Sequence, residues 1–152
     1  MDYISTILAV SRAWLGTKYH HQGRLKKSEN NKGGVDCFGL IIGIAKELNI
    51  KSITGDLLYK FDETNYSASL DNDRLEKFLD KHLIKVQNNN WQVGDILLFK
   101  IFKYPQHIAI FSKYQDKVTE IIHCHSSSEE VVEHTLSPVW QRMIAGIYRF
   151  KW

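Results

Sequence analysis

Gly34-Val35-Asp36-Cys37-Phe38-Gly39-Leu40 is the stretch on which the reading of this chain turns. A glycine pair, Gly33-Gly34, frees the backbone. Asp36 is a helix N-cap residue type, and Cys37 falls in the first turn of the helix it would cap. Downstream, Leu40, Ile41, Ile44, Ala45 and Leu48 recur at three- and four-residue spacing, which predicts a buried helix beginning near Cys37. Gly39 and Gly43 inside that helix each cost up to ~1 kcal/mol relative to alanine, so close approach to a neighbouring backbone explains them better than propensity does. A sulfur at a helix start feels the positive end of the helix dipole and lies near unpaired N–H groups. Such placement can lower a thiol pKa from ~8.5 into the range ~3.5–7.5, and the same amides can stabilise an oxyanion beside the sulfur. Taken alone, a cysteine in such a place reads first as a small buried hydrophobe behind a capping aspartate.

On the N-terminal side, Ile4, Ile7, Leu8, Trp14 and Leu15 form a helical stripe that Gly16 can stop, followed by a polar loop over Thr17 to Gly34. Further on, Asp71 or Asp73 can cap a third helix carrying Leu75, Phe78 and Leu79. From Trp91 the texture becomes β-rich. The runs are Val93 to Phe99, Ile108 to Phe111, Val118 to His123, Glu130 to Glu133 and Ile144 to Phe150, with turns at Tyr104-Pro105, Tyr114 to Asp116 and Ser126 to Ser128. Helices first and a strand meander afterwards predict an α+β fold, with N-terminal helices packed on a C-terminal antiparallel sheet.

The 152 residues are 43% hydrophobic, 24% charged and 12% aromatic, with 2 prolines, 2 cysteines and a formal net charge of +3. No apolar run approaches the ~20 residues of a membrane span, and no repeat or low-complexity tract stands out, so one domain over residues 1–152 is expected. The weak basic bias contains no block of like charge and does not suggest nucleic acid as a partner. Met-Asp-Tyr-Ile-Ser-Thr-Ile-Leu lacks the basic start of a secretory signal, so the chain is expected to be made in the cytoplasm without membrane insertion. In a reducing compartment Cys37 and Cys124 are free thiols.

A nucleophilic cysteine needs a base and a group that orients the base. His107 opens the Ile108 to Phe111 strand, and His123 closes the next one. Antiparallel pairing of those strands brings the two imidazoles close, while alternation puts His123 and His125 on one face and Cys124 on the other. An alternative use of the same residues is a zinc site from His123, Cys124 and His125, although the spacing matches no closed structural-zinc pattern. Trp91, Trp140 and Trp152 read as core or rim packing, and His82 and His134 as exposed helix-end and strand residues.

Four separated pieces in this order resemble the NlpC-type, papain-like cysteine peptidases of the cell wall: Trp14-Leu15-Gly16-Thr17-Lys18-Tyr19, Gly34 to Leu40, Val93 to Phe99, and His107-Ile108-Ala109-Ile110 with Ile122-His123. Tyr19-His20-His21-Gln22-Gly23, Leu136 to Trp140 and Ile144 to Phe150 are similar to the phage-tail and gene-transfer-agent branch. The resemblance implies that Cys37 is the nucleophile, His107 its base and His123 the orienting residue, with His125 as a fallback. It implies that Tyr19 lines the site and assists the oxyanion, and that Asp36 and Phe38 contact substrate. Many relatives carry serine where this chain has Phe38. The implied substrate is the murein stem peptide, cut between D-glutamate and a diamino acid with no cofactor or metal, and the implied partners are phage-like tail proteins that would carry the enzyme to the wall. A catalytically silent tail or wall-binding module with the same fold, and acyl transfer to lipid, are the competing readings.

Overall fold

The computed structural model describes residues 2–66, 73–87 and 89–152. Helix α1 (Tyr3–Arg12) is capped by Asp2, whose carboxylate accepts from the Ser5 N–H. It is shorter than its apolar stripe suggests, because Trp14 and Leu15 lie in the turn beyond it, which closes at Gly16 with φ +87°. The polar loop after that turn contains an antiparallel ribbon, β1 (Arg24–Leu25) with β2 (Gly34–Val35). Strands of two residues carry no alternation for a sequence pattern to reveal.

Helix α2 (Cys37–Glu47) starts where the motif predicts, with Asp36 accepting from the Gly39 N–H. Phe38, Leu40, Ile41, Ile42, Ile44 and Ala45 are all buried, so the helix runs through the core rather than over it. A Cβ on Gly39 would stand 2.2 Å from the Gly23 carbonyl oxygen, the backbone approach expected. At Gly43 the neighbour is instead a side chain, the Trp14 ring, which a Cβ would meet at 2.4 Å.

A 3-10 turn (Leu58–Phe61) leads toward α3 (Arg74–His82), which buries Leu75, Phe78 and Leu79. Asp73 occupies the capping position without a capping hydrogen bond and pairs with Lys77 instead, and Asp71 lies outside the described residues. His82, expected exposed, is buried, with Nδ1 2.9 Å from the Ser52 hydroxyl.

The sheet is antiparallel throughout: β3 (Ile84–Lys85), β4 (Ile96–Lys100), β5 (Pro105–Gln115), β6 (Val118–Cys124), β7 (Val131–Thr135) and β8 (Ile144–Arg149), in the order β3-β8-β4-β5-β6-β7. Strands β4 to β7 form the expected meander. After helix α4 (Pro138–Arg142) the chain returns, so that β8 lies on the other side of β4. Bidentate pairing of Arg149 with the buried Asp95, at 2.6 and 2.8 Å, fastens that return. The β5–β6 hairpin turns on Asp116 and Lys117, both with positive φ (53° and 65°), as a two-residue type I′ turn demands. Pairing therefore runs through Tyr114 and Gln115, which the sequence assigns to the turn.

Both faces of the sheet are covered, giving an α+β fold. Ile96, Leu98, Ile108, Ile110, Ile122 and Cys124 pack toward α2, while Leu97, Phe99, Ala109, Phe111 and Ile121 pack with Trp140 and Met143. The sheet is irregular at the start of β5. Phe99 pairs with His107 but Lys100 with Pro105, so Gln106 is bulged out between them. Bulges of this kind re-aim the neighbouring side chain.

Candidate active site

The start of α2 and the start of β5 meet at a cleft of about 180 Å³ whose walls include Tyr19, Asp36, Cys37, Phe38, His107 and His125. Cys37 reaches it because Asp36 fixes the first turn of α2. His107 reaches it because the Gln106 bulge sits beside it at the rim of the sheet. The backbone N–H groups of Phe38 on α2 and Ile108 on β5 both favour the Cys37 thiolate, so each of the two elements contributes an amide to the sulfur's surroundings.

The His107 ring is buried, with Nε2 2.7 Å from Nδ1 of His123, which is also buried. Antiparallel pairing of β5 and β6 thus brings the imidazoles together as expected. His123 continues through its Nε2 to the Nε2 of His134 on β7, again at 2.7 Å, and His134 Nδ1 is 2.9 Å from the Thr135 carbonyl oxygen. Trp140 lies edge-on to His107 and His123, each 5.5 Å away between ring centres, and with Phe99 it shields them from one side. His134 is exposed on a strand, as its sequence pattern predicts, yet it ends a chain of three rings. Trp140 has the packing role expected of it, and packs on the histidines themselves.

The hydrogen bond of His107 is with His123, while the His125 ring lies edge-on to His107 at 5.1 Å between ring centres. Strand β6 ends at Cys124, so alternation stops there, and His125 turns into the cleft with Nδ1 2.6 Å from the Ser127 hydroxyl. Cys124 does alternate with His123 and stands on the opposite face of β6, but that face packs toward α2, so Cys124 is not segregated from the site: it lines the cleft wall, with its thiol donating to the Val35 carbonyl at 3.3 Å. Among the described residues no group of three or more histidine, cysteine or acidic side chains is arranged to hold a metal ion.

Electrostatically the thiol departs from the expectation of a helix-start cysteine. Burial and then the neighbouring Asp36 charge push Cys37 up to about 12, against the opposing effect of the Ile108 and Phe38 N–H groups and Arg74. Burial also pushes Cys124 up to about 12, followed by repulsion from Cys37, Asp36 and Glu130. His107 is held well below the usual histidine range by burial, then by His123 and His125. His123 is pushed down to about 3 by burial, then by His134 and His125. The resting pair is therefore a neutral thiol beside a neutral imidazole. Burial and nearby negative charge raise Tyr19, which stays a phenol able to donate a hydrogen bond into the cleft.

Asp36 and Phe38 line the cleft but are heavily committed. The Asp36 carboxylate accepts from the N–H groups of Gly39 (2.8 Å) and Gln22 (2.9 Å), from the Tyr66 hydroxyl, and from Arg24 at 3.4 Å. A substrate ammonium would have to compete with those donors. Phe38 packs between Phe78 and Tyr66, with the Arg24 and Arg74 guanidiniums over its ring at 5.4 and 5.0 Å. Tyr66, Arg24 and Arg74 carry no signal in the sequence, because each is joined to Asp36 or Phe38 only through the fold.

A thiol and an imidazole lining one cleft, with a second imidazole hydrogen-bonded to the first, make a constellation suited to nucleophilic acyl chemistry. The fold is similar to that of the NlpC/p60 domain of the peptidoglycan hydrolase SagA (TM-score 0.57, 18% identity, 97% of this chain and 98% of that one). It is similar as well to an N-acetylmuramoyl-L-alanine amidase from Bacteroides uniformis (TM-score 0.60, 14% identity, 96% and 99%). A third similar structure is Ly7917 with the hydrolyzing product of MDP (TM-score 0.58, 9% identity, 98% of this chain), of which this chain spans 63%. No curated protein matches the chain in sequence. Residues 67–150, which include His107 and His123 but not Cys37, match the domain of unknown function DUF1287, and the chain belongs to that family.

Proposed function

We propose that this protein is a cysteine peptidase that hydrolyses the stem peptides of murein, at the bond between D-glutamate and the diamino acid. The observation that carries the reading is the meeting of Cys37 and His107 in one cleft, with the His107 Nε2 already engaged by His123. That engagement leaves Nδ1 as the nitrogen available to the thiol. Because both groups rest neutral, the Cys37 proton passes to His107 as the sulfur attacks the carbonyl, so the imidazole acts as general base. The resulting imidazolium protonates the departing amine, and His107 then activates water against the thioester. Tyr19 lines the same cleft, and in this proposal its hydroxyl and the first-turn amides of α2 stabilise the developing oxyanion. The fold shared with peptidoglycan hydrolases and amidases, one similar structure being solved with a product of MDP, supports murein as the substrate class. Carriage to the wall by a phage-like tail is part of the same proposal, resting on the sequence resemblance alone; its absence from tail particles of an induced culture would refute that part.

The test is mass spectrometry of murein digested by the purified protein and by Cys37→Ala. Release of fragments with a new D-glutamate carboxyl terminus by the first and not the second is expected. Failure of the unaltered protein to release any peptide product from about pH 5 to about pH 9 refutes the proposal.

A further inference from the structure

The hydrogen-bond chain through the three histidines has one fixed end. His134 Nδ1 faces a backbone carbonyl, that of Thr135, at 2.9 Å. A carbonyl oxygen only accepts, so this nitrogen must carry the proton. In a neutral ring the other nitrogen, Nε2, is then an acceptor. His123 Nε2 stands 2.7 Å from it and must donate, which leaves His123 Nδ1 without a proton. His107 Nε2, 2.7 Å from that atom, must in turn donate. Each ring passes the constraint to the next, and the last nitrogen in the series, His107 Nδ1, is left as an unprotonated base.

We infer that His134 is a positioning residue for the proposed peptidase reaction: by accepting from His123 it sets the tautomer of His107 in which Nδ1 can take the Cys37 proton. This rests on the peptidase reading for its use but not for its geometry. In many cysteine and serine hydrolases a carboxylate or amide orients the base directly. Here the orienting group is itself an imidazole, whose two nitrogens allow either tautomer, so it needs a further partner to be specified. The sheet register supplies one. Ile121 pairs with His134, which puts His134 diagonal to His123 on the same face of the sheet. His134 is exposed while His107 and His123 are buried, so the ring that orders the buried pair lies at the surface, hydrogen-bonded to the Thr135 carbonyl and to His123.

The test uses His134→Phe, which removes the acceptor, and His134→Gln, which keeps one near the position of Nε2. Long-range proton–nitrogen correlation spectra at about pH 8, where histidines are largely neutral, should show the unaltered protein with Nε2–H at His107 and at His123. His134→Phe should retain a cooperative melt but show mixed tautomers at His107. Its rate of Cys37 alkylation and its kcat on murein peptide should fall about ten- to a hundredfold, the usual cost of losing an outer partner of a functional histidine, with KM unchanged. His134→Gln should restore the tautomer and most of both rates. Nδ1–H at His107 in the unaltered protein, or a His134→Phe protein with unmixed tautomers and the normal alkylation rate, would overturn the inference. The spectra and the alkylation need no substrate. Correct tautomers and His134-dependent alkylation in a protein that cuts no murein would support the role of His134 and count only against the peptidase reading.

Discussion

Acid should unfold this protein through its buried histidines, and His123 allows the size of the effect to be worked out. Its ring titrates at about 3 in the folded chain against 6.5 when free of the fold. A histidine whose folded value is depressed contributes stability that is complete above the unfolded value and is lost as the pH falls toward the folded one, because the unfolded chain takes up a proton that the native chain refuses. Between about pH 7.5 and about pH 5 the loss is confined to the interval below 6.5. Roughly 1.5 pH units at about 1.4 kcal/mol each give about 2 kcal/mol from this residue alone. In a domain of this size that lowers the melting temperature by about 4–8 °C. His107, depressed for the same reason, adds to the loss in the same direction. The assay is denaturant unfolding at the two pH values for the unaltered protein and for His123→Asn, whose side-chain oxygen can still accept from the His107 Nε2–H. The variant will be less stable at both, but its pH difference should be smaller by about 2 kcal/mol. Equal pH differences in the two proteins would mean that His123 is not held neutral by burial, and the electrostatic description of the site would fall with it.

Two further substitutions test the floor of the cleft. Gly39→Ala drives a methyl group against the Gly23 carbonyl, backbone that also accepts from Arg24, and should cost more than the ~1–3 kcal/mol usual for overpacking; urea unfolding that places it within about 1 kcal/mol of the unaltered protein would disprove the close approach. Asp36→Asn removes the charge that helps raise the Cys37 thiol, so the pH profile of Cys37 alkylation should move to lower pH while stability drops by about 1.5–3 kcal/mol for the weakened charged hydrogen bonds; an unmoved or upward-shifted profile would contradict that role.

How much of the fold and the site is legible in the sequence depends on the distance over which each determinant acts. Helix α2 is legible because its cap, its stripe and its glycines lie within a dozen residues. The approach of His107 to His123 is legible only in part: antiparallel pairing of their strands can be read, but the register shift between Phe111 and Lys113, which puts both rings on one face, cannot. The role of His134 is not legible, although it sits on a strand that the pattern finds. Its place beside His123 depends on the register across the Ser126–Glu130 turn, and shifting that register by one residue would turn His134 to the opposite face. The Gln106 bulge, which brings His107 to the rim, is likewise invisible to a period-two pattern, which assumes that every residue is paired. Tyr66 and Arg24 are hidden for a third reason: they reach Asp36 from outside the helices and the main sheet, where periodicity gives no guide.

The sulfur shows how a correct local rule can lead to the wrong electrostatic sign. The helix start does point N–H groups toward Cys37, and they do favour its thiolate. But the residue that makes the helix start so recognisable is an aspartate, and the fold buries its carboxylate beside the thiol, where Gly39, Gln22, Tyr66 and Arg24 hold it. Burial is the larger part of the opposition to the thiolate, and the capping charge that stabilises α2 adds to it, against the dipole it caps. A thiol kept neutral in this way cannot wait as a ready anion, so the burden of activation moves to the base at the moment of attack. A base that must accept the proton then and there has to present the correct nitrogen beforehand. The hydrogen-bonded series from His107 to the Thr135 carbonyl is the arrangement that such a site requires.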